Sequence, residues 1–200
     1  MTSALLVGIL AGLAVAMPVG PVGVLLLRTG LVDGIRVAVV AACGVATVDL
    51  AYAVVAVAVG APVSRVVGEH AALVRGVSAA VLVAVGVIGL VASTRSPAPD
   101  PAGGASTRGR TYVRFVGLTA VNPMTAVTFT ALAVGLTARV GTGVSVAAFV
   151  VGVGVASLAW QLLLAVTSGL LGLRLPPAAR TGVSVAGSVM VVLAGVALLV

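Results

Sequence analysis

The sequence predicts an all-α membrane protein, with six transmembrane helices arranged as two inverted three-helix repeats. Three observations carry that prediction. Of 200 residues, 61% are apolar and only 8% are charged, with a mean hydropathy of +1.33. A soluble domain usually carries about 25% charged residues, and a chain of this length needs far more polar surface to face water. The apolar residues gather in six continuous runs, each close to the roughly 20 residues that cross a bilayer core about 30 Å thick. Two of these runs, the first and the fourth, are interrupted by proline at corresponding positions.

The runs follow in order. The first spans residues 5–27 and is closed by Arg28. It lacks a basic n-region, is too long for a signal-peptide h-region and leads directly into further spans, so it reads as a retained helix. The second spans 37–59, between Arg36 and Gly60-Ala61-Pro62, and the third spans 71–92. A break over 93–111 contains Ser-Pro-Ala-Pro-Asp-Pro-Ala-Gly-Gly, the one linker-like stretch. The fourth run is 113–138, the fifth 144–171 and the sixth 182–200. This divides the chain into a first repeat (1–92), a cytoplasmic loop (93–111) and a second repeat (112–200), together one integral membrane domain. The runs are continuous rather than alternating, which argues against a barrel. Valine favours strands in water but decides little in lipid, where backbone hydrogen bonds must be satisfied within the segment.

The formal charge is +7 and the pI about 11.6, yet no nucleic-acid partner is expected. All 11 basic residues are Arg, lying mainly between runs, and aromatics make up only 3%, too few for a base-stacking platform. The Arg residues instead orient the chain. Those following the odd-numbered helices are Arg28, Arg36, Arg95, Arg108, Arg110, Arg114, Arg174 and Arg180, against Arg65, Arg75 and Arg139 on the other face. That excess places the odd loops in the cytoplasm and both termini outside a bacterial inner (plasma) membrane. Cys43, the single cysteine, lies inside an apolar run and reads as a small packing residue.

Packing should rely on small side chains. Gly8, Gly12, Ala16 and Gly20 recur every four positions in the first helix, as do Ala148, Gly152 and Ala156 in the fifth. Such faces let backbones approach closely, and a homodimer is one assembly they allow.

The polar residues inside the runs are the candidates for chemistry. Met17-Pro18-Val19-Gly20-Pro21 interrupts helix 1 and Val121-Asn122-Pro123 interrupts helix 4. A proline inside a helix lacks an N–H and clashes with the carbonyl four residues back. Pro18, Pro21 and Pro123 would therefore free the carbonyls of Ala14, Met17 and Thr119, which must then face protein, water or a ligand. Helices 1 and 4 each open a half of three helices, and an odd count forces the second half to enter from the opposite side. Matched breaks in inverted halves point to a transport site at the midplane. A fainter echo is that Gly44, Asp49 and Tyr52 share their spacing with Gly152, Ser157 and Trp160.

Asp49 is the only carboxylate inside a span. An ionised Asp at the bilayer centre costs about 2.5–3.5 kcal/mol even on an insertion scale, so it should face the bundle interior with a partner or an exchangeable proton. Its alternative role is to hold helices 2 and 5 together. Asn122 offers donors and an acceptor to a zwitterion, with Thr119 and Thr125 one turn to either side, and Gln161 is a second amide in helix 5. Glu69 and His70, beside Arg65 and Arg75, read as an interfacial charge cluster. A lone His makes no metal site. The chain has no P-loop, phosphate cradle or nucleophile triad, so neither an enzyme nor a cofactor is expected.

These residues together resemble the LysE-type translocator family, the amino-acid exporters that include the homoserine/threonine efflux branch. The resemblance covers nearly the whole chain. It is carried by Pro18-Val19-Gly20-Pro21, by Leu27-Arg28-Thr29-Gly30-Leu31-Val32-Asp33-Gly34, and by Gly44 and Asp49. Asn122-Pro123 with Phe129 and Gly135-Leu136 is similar to a second family signature. Two positions depart from the pattern. Val19 interrupts a Pro-Gly-Pro element, and Met124 stands where many members carry a Lys suited to carboxylate binding or ion coupling. The resemblance implies export of an amino acid or similar small metabolite driven by the proton motive force. The site expected is a midplane cavity lined by Pro18, Gly20, Pro21, Asn122 and Pro123, with Asp49 as the proton-linked group. Two other classes remain open at this point. An inorganic- or metal-ion exporter would need more intramembrane carboxylates or His, and a non-transporting membrane scaffold would not need polar groups at matched breaks.

Overall fold

A computed structural model describes residues 2–17, 20–94, 105–122, 125–126, 128–129 and 143–197. The described residues form helices and no strands. The helices are α1 (Thr2–Ala16), α2 (Pro21–Asp33), α3 (Ile35–Glu69), α4 (Ala71–Thr94), α5 (Ala105–Ala120), α6 (Gly143–Gly172) and α7 (Pro177–Ala197). Among the described residues, two stretches are long and apolar enough to cross a membrane, Ile35–Ala58 of α3 and Val146–Gly172 of α6. The pair α1 and α2, bent by 79°, makes a third if taken as one broken span. Arg75–Val91 and Thr181–Ala197 are shorter apolar helices. Most of the fourth run lies outside the described residues.

Several expected boundaries shift. Helix 1 is two helices rather than one kinked rod, because Pro21 occupies the first turn of α2 with Gly20 as its N-cap. At that position the missing N–H would have had no intrahelical acceptor anyway, so Pro21 starts a helix and removes no bond from one. Arg28 does not end helix 1. The helix runs on to Asp33, and the connection to α3 is Gly34 alone, whose φ of +90° suits a residue without Cβ. Within α2 the Arg28 side chain is engaged, its Nε donating to Ser184 Oγ of α7 at 2.9 Å. Likewise α3 continues through Gly60-Ala61-Pro62 to Glu69, since one proline removes a single rung from a ladder that is continuous on both sides. The linker also shortens. Its last residues, from Ala105, already belong to α5, and residues 95–104 lie outside the described set.

The pattern of burial is inverted relative to a water-soluble protein. Leu10, Leu73, Ile88, Leu170 and Leu193 are exposed, whereas Asp49, Asn122, Ser157, Gln161 and Ser188 are buried. Such an apolar exterior around polar interior groups fits lipid as the surrounding solvent. The protein is membrane-embedded.

Close backbone contact organises the bundle. α6 packs along α1, α2 and α3; α4 packs on α7; α5 lies on α3; and α2 also touches α7. The two small-residue faces noted in the sequence meet each other. A Cβ on Gly12 would stand 2.7 Å from the Val153 carbonyl oxygen, and one on Gly152 would stand 2.6 Å from that of Leu5. A second contact sets Gly169 of α6 against Ile35, where an added Cβ would lie 2.7 Å from the Ile35 Cα. The start of α3 and the end of α6 therefore share one end of the bundle. Asp33, Arg28 and Arg114 interact electrostatically with one another.

Candidate functional site

The polar interior groups converge on a cavity of about 300 Å³. Each reaches it from a different element. Gly20 and the first turn of α2, through Val22 and Gly23, contribute one part of the wall. Asp49 comes from the middle of α3 and Gln161 from α6. Thr119 and Asn122 come from the end of α5 and the residues just past it, followed by Thr125 and Thr128. Thus Gly20, Asp49, Thr119, Asn122 and Gln161, all expected from sequence, lie on one cavity. Pro21 sits beside it at the start of α2, while Pro18 and Pro123 fall outside the described residues. Glu69 and His70 are exposed where α3 meets α4 and take no part in the cavity.

Asp49 is 3% exposed, and its Oδ2 accepts a hydrogen bond from Ser157 Oγ at 2.6 Å. The carboxyl group both joins α3 to α6 and lines the cavity. A charge-assisted bond of this length is stronger than a neutral one, and it holds the carboxylate in place.

At the break after α5 the carbonyls face protein, one of the partners expected for them. The Thr119 carbonyl does not stay free for a ligand, because the backbone N–H of Asn122 donates to it at 3.1 Å. The next two carbonyls are taken by side chains of other helices. Tyr52 of α3 donates its hydroxyl to Ala120 O at 2.8 Å, and Ser78 of α4 donates to Val121 O. The Tyr52 ring also stacks on Phe129, centroids 5.6 Å apart. The Thr119 hydroxyl turns back to its own helix, donating to Phe115 O at 2.8 Å. The chain past the break resumes with Ala126 N–H donating to Asn122 O at 3.2 Å.

At the break between α1 and α2, the start of α2 offers donors. Gly20 has no side chain to cap α2, and its carbonyl accepts from Val24 N–H at 3.0 Å. The N–H groups of Val22 and Gly23 belong to the first turn, which has no intrahelical acceptors, and they carry the positive end of the helix dipole. Gln161, 6% exposed, adds an acceptor, for its Oε1 is buried without a hydrogen-bond partner among the described residues. The arrangement suits a small molecule bearing both a cation and an anion.

Sequence reasoning missed Thr128, Tyr52 and Ser78 as supports of the site. Tyr52 was visible only in the repeat echo, and Ser78 carried no signal beyond being polar in an apolar run. The family model described as LysE type translocator matches residues 13–200, a span that includes every cavity residue. No curated protein and no solved structure matches the chain.

Proposed function

The chain belongs to the LysE type translocator family, whose members are transporters of small molecules such as amino acids rather than enzymes, and from that premise we propose a secondary-active exporter of amino acids or similar small metabolites, driven by the proton motive force. The observation that carries the reading is the cavity itself: an apolar-coated bundle encloses the Asp49 carboxyl beside both helix breaks. A ligand ammonium meets Asp49, and its carboxylate meets the N-terminus of α2 or Asn122. Asp49, embedded among helices, is the group that exchanges a proton during the cycle.

Alternating access follows if the halves are inverted repeats. Helix pairing supports this. The second helix of one half packs on the second of the other (α3 on α6), and the third on the third (α4 on α7). Corresponding positions Asp49 and Ser157 bond to each other, as positions beside a two-fold axis would. Gly44 packs against Tyr112 and Phe115 of the fourth helix, while Gly152 packs against Leu5 and Gly8 of the first. Under this reading the six spans cross a bacterial inner membrane with the Arg-rich ends of α2, α5 and α7 in the cytoplasm.

The deciding experiment measures export of a pooled set of labelled amino acids from loaded cells, comparing wild type with Asp49→Asn at matched membrane levels. The expected result is efflux of one or a few compounds by wild type and its loss in the variant. Wild-type export by Asp49→Asn removes the coupling role, and absence of any amino-acid efflux by wild type removes the substrate class.

A further inference from the structure

We propose that Gln161 selects a primary ammonium group on the transported molecule, accepting an N–H bond from it beside Asp49. The proposal rests on the export reading above and deepens it by assigning a specificity-determining residue. Gln161 lines the cavity, is 6% exposed, and its Oε1 has no donor among the described residues. A buried acceptor without a donor is unfavourable, and because Gln161 lines the cavity, a turn of its amide toward that cavity would bring Oε1 to a donor that arrives with the ligand.

Its neighbour defines what that donor is. Ser157 lies one turn before Gln161 on the same face of α6, and Ser157 Oγ holds Asp49 Oδ2 at 2.6 Å. The Asp49 carboxyl is thus held one helical turn from Gln161 on α6, and both residues line the cavity. Another part of the wall is the uncapped N-terminus of α2, at Val22 and Gly23, which offers N–H groups to an anion. The pair of acceptors takes a cation that carries its own N–H donors, and the helix end takes a carboxylate.

A primary ammonium has three N–H donors, a monomethylated amine two, and a trimethylammonium none. A site built to hydrogen-bond a ligand N–H rejects analogues lacking it far more strongly than an apolar pocket rejects an added methyl. Gln161 should thus make the transporter discriminate by N-methylation, independently of the substrate's side chain.

The test uses the purified full chain in proteoliposomes under an imposed proton gradient. The probes are the amino acid that the pooled export identifies, its N-methyl derivative and its N,N,N-trimethyl derivative. Wild type should prefer the parent over the trimethyl compound by about 10²-fold or more in kcat/KM, with the N-methyl compound between them. Gln161→Leu should bring that preference to within roughly 10-fold, by losing the parent more than the methylated compounds. Gln161→Met, unbranched and also without an amide oxygen, gives the same readout should the Leu variant fail to fold. Equal transport of all three compounds by wild type, or undiminished preference in either folded variant, overturns the proposal while leaving amino-acid export standing. A sodium dependence of transport that disappears in the variants, with amine preference intact, overturns it in favour of a cation at Gln161. No amino-acid export at all overturns both readings together.

Discussion

Asp49 and its partner set the residue scale. The Ser157 hydroxyl donates to the carboxylate across an interface formed by positions 108 apart in sequence. A hydrogen bond to a charged group contributes about 1.5–3 kcal/mol. Ser157→Ala should therefore lower the stability of the purified protein by about that amount, whereas Ser157→Thr, which keeps the donor, should recover most of it. Thermal unfolding of the detergent-solubilised variants checks this. An Ala variant as stable as wild type would mean that the bond contributes nothing to holding α3 on α6. Asp49 as an interior group was legible from the sequence, since no other carboxylate lies in a span. Its partner was not, because a serine in an apolar run is common and only packing decides which one it meets.

At the scale of elements, the contact between α1 and α6 depends on missing side chains. A Cβ on Gly152 would stand 2.6 Å from Leu5 O and 2.9 Å from Ile9 N, both backbone atoms that cannot turn away as a side chain can. Gly152→Ala should force the helices apart and destabilise by about 1–3 kcal/mol. Gly76→Ala in α4 meets nothing within 4 Å and should change stability by at most about 1 kcal/mol, in the stabilising direction. Melting of the two variants side by side separates close packing from a general effect of removing glycine; equal shifts would sink the close-packing account. The stripes on both helices were readable from a four-residue period. That they face one another, and not a second copy of the chain, was not, because the period fixes a face and says nothing of what covers it.

For the whole molecule, the ends of the helices define its sides. Ile35 lies against Gly169, and Leu31 against Gly172, so Arg36 and Arg174 belong to one end. His70 follows Glu69 at the far end of α3, a helix of 35 residues, about 50 Å away at 1.5 Å per residue. In a Cys43→Ala background, a membrane-impermeant maleimide added to intact cells should label a cysteine at position 70. It should spare cysteines at 36 and 174 until the membrane is opened. The reverse pattern would invert the topology, and labelling of only one of positions 36 and 174 would remove the six-span arrangement.

Composition and hydropathy alone determined that this is a helical membrane protein, where most of its helices lie, where two of them break, and which acidic residue is enclosed. Those properties are local: twenty apolar residues need internal hydrogen bonds in lipid wherever they pack, and proline alters its own turn whatever surrounds it. Tertiary structure alone decided how the breaks are satisfied. Pro21 opens α2 and leaves donors at the cavity, whereas the carbonyls at the end of α5 and just past it are taken by Asn122, Tyr52 and Ser78. It also decided that Gln161 keeps an acceptor unpaired beside the Asp49–Ser157 bond. A hydrogen bond between helices depends on which faces meet and at what height, and neither quantity is present in the pattern of any single run.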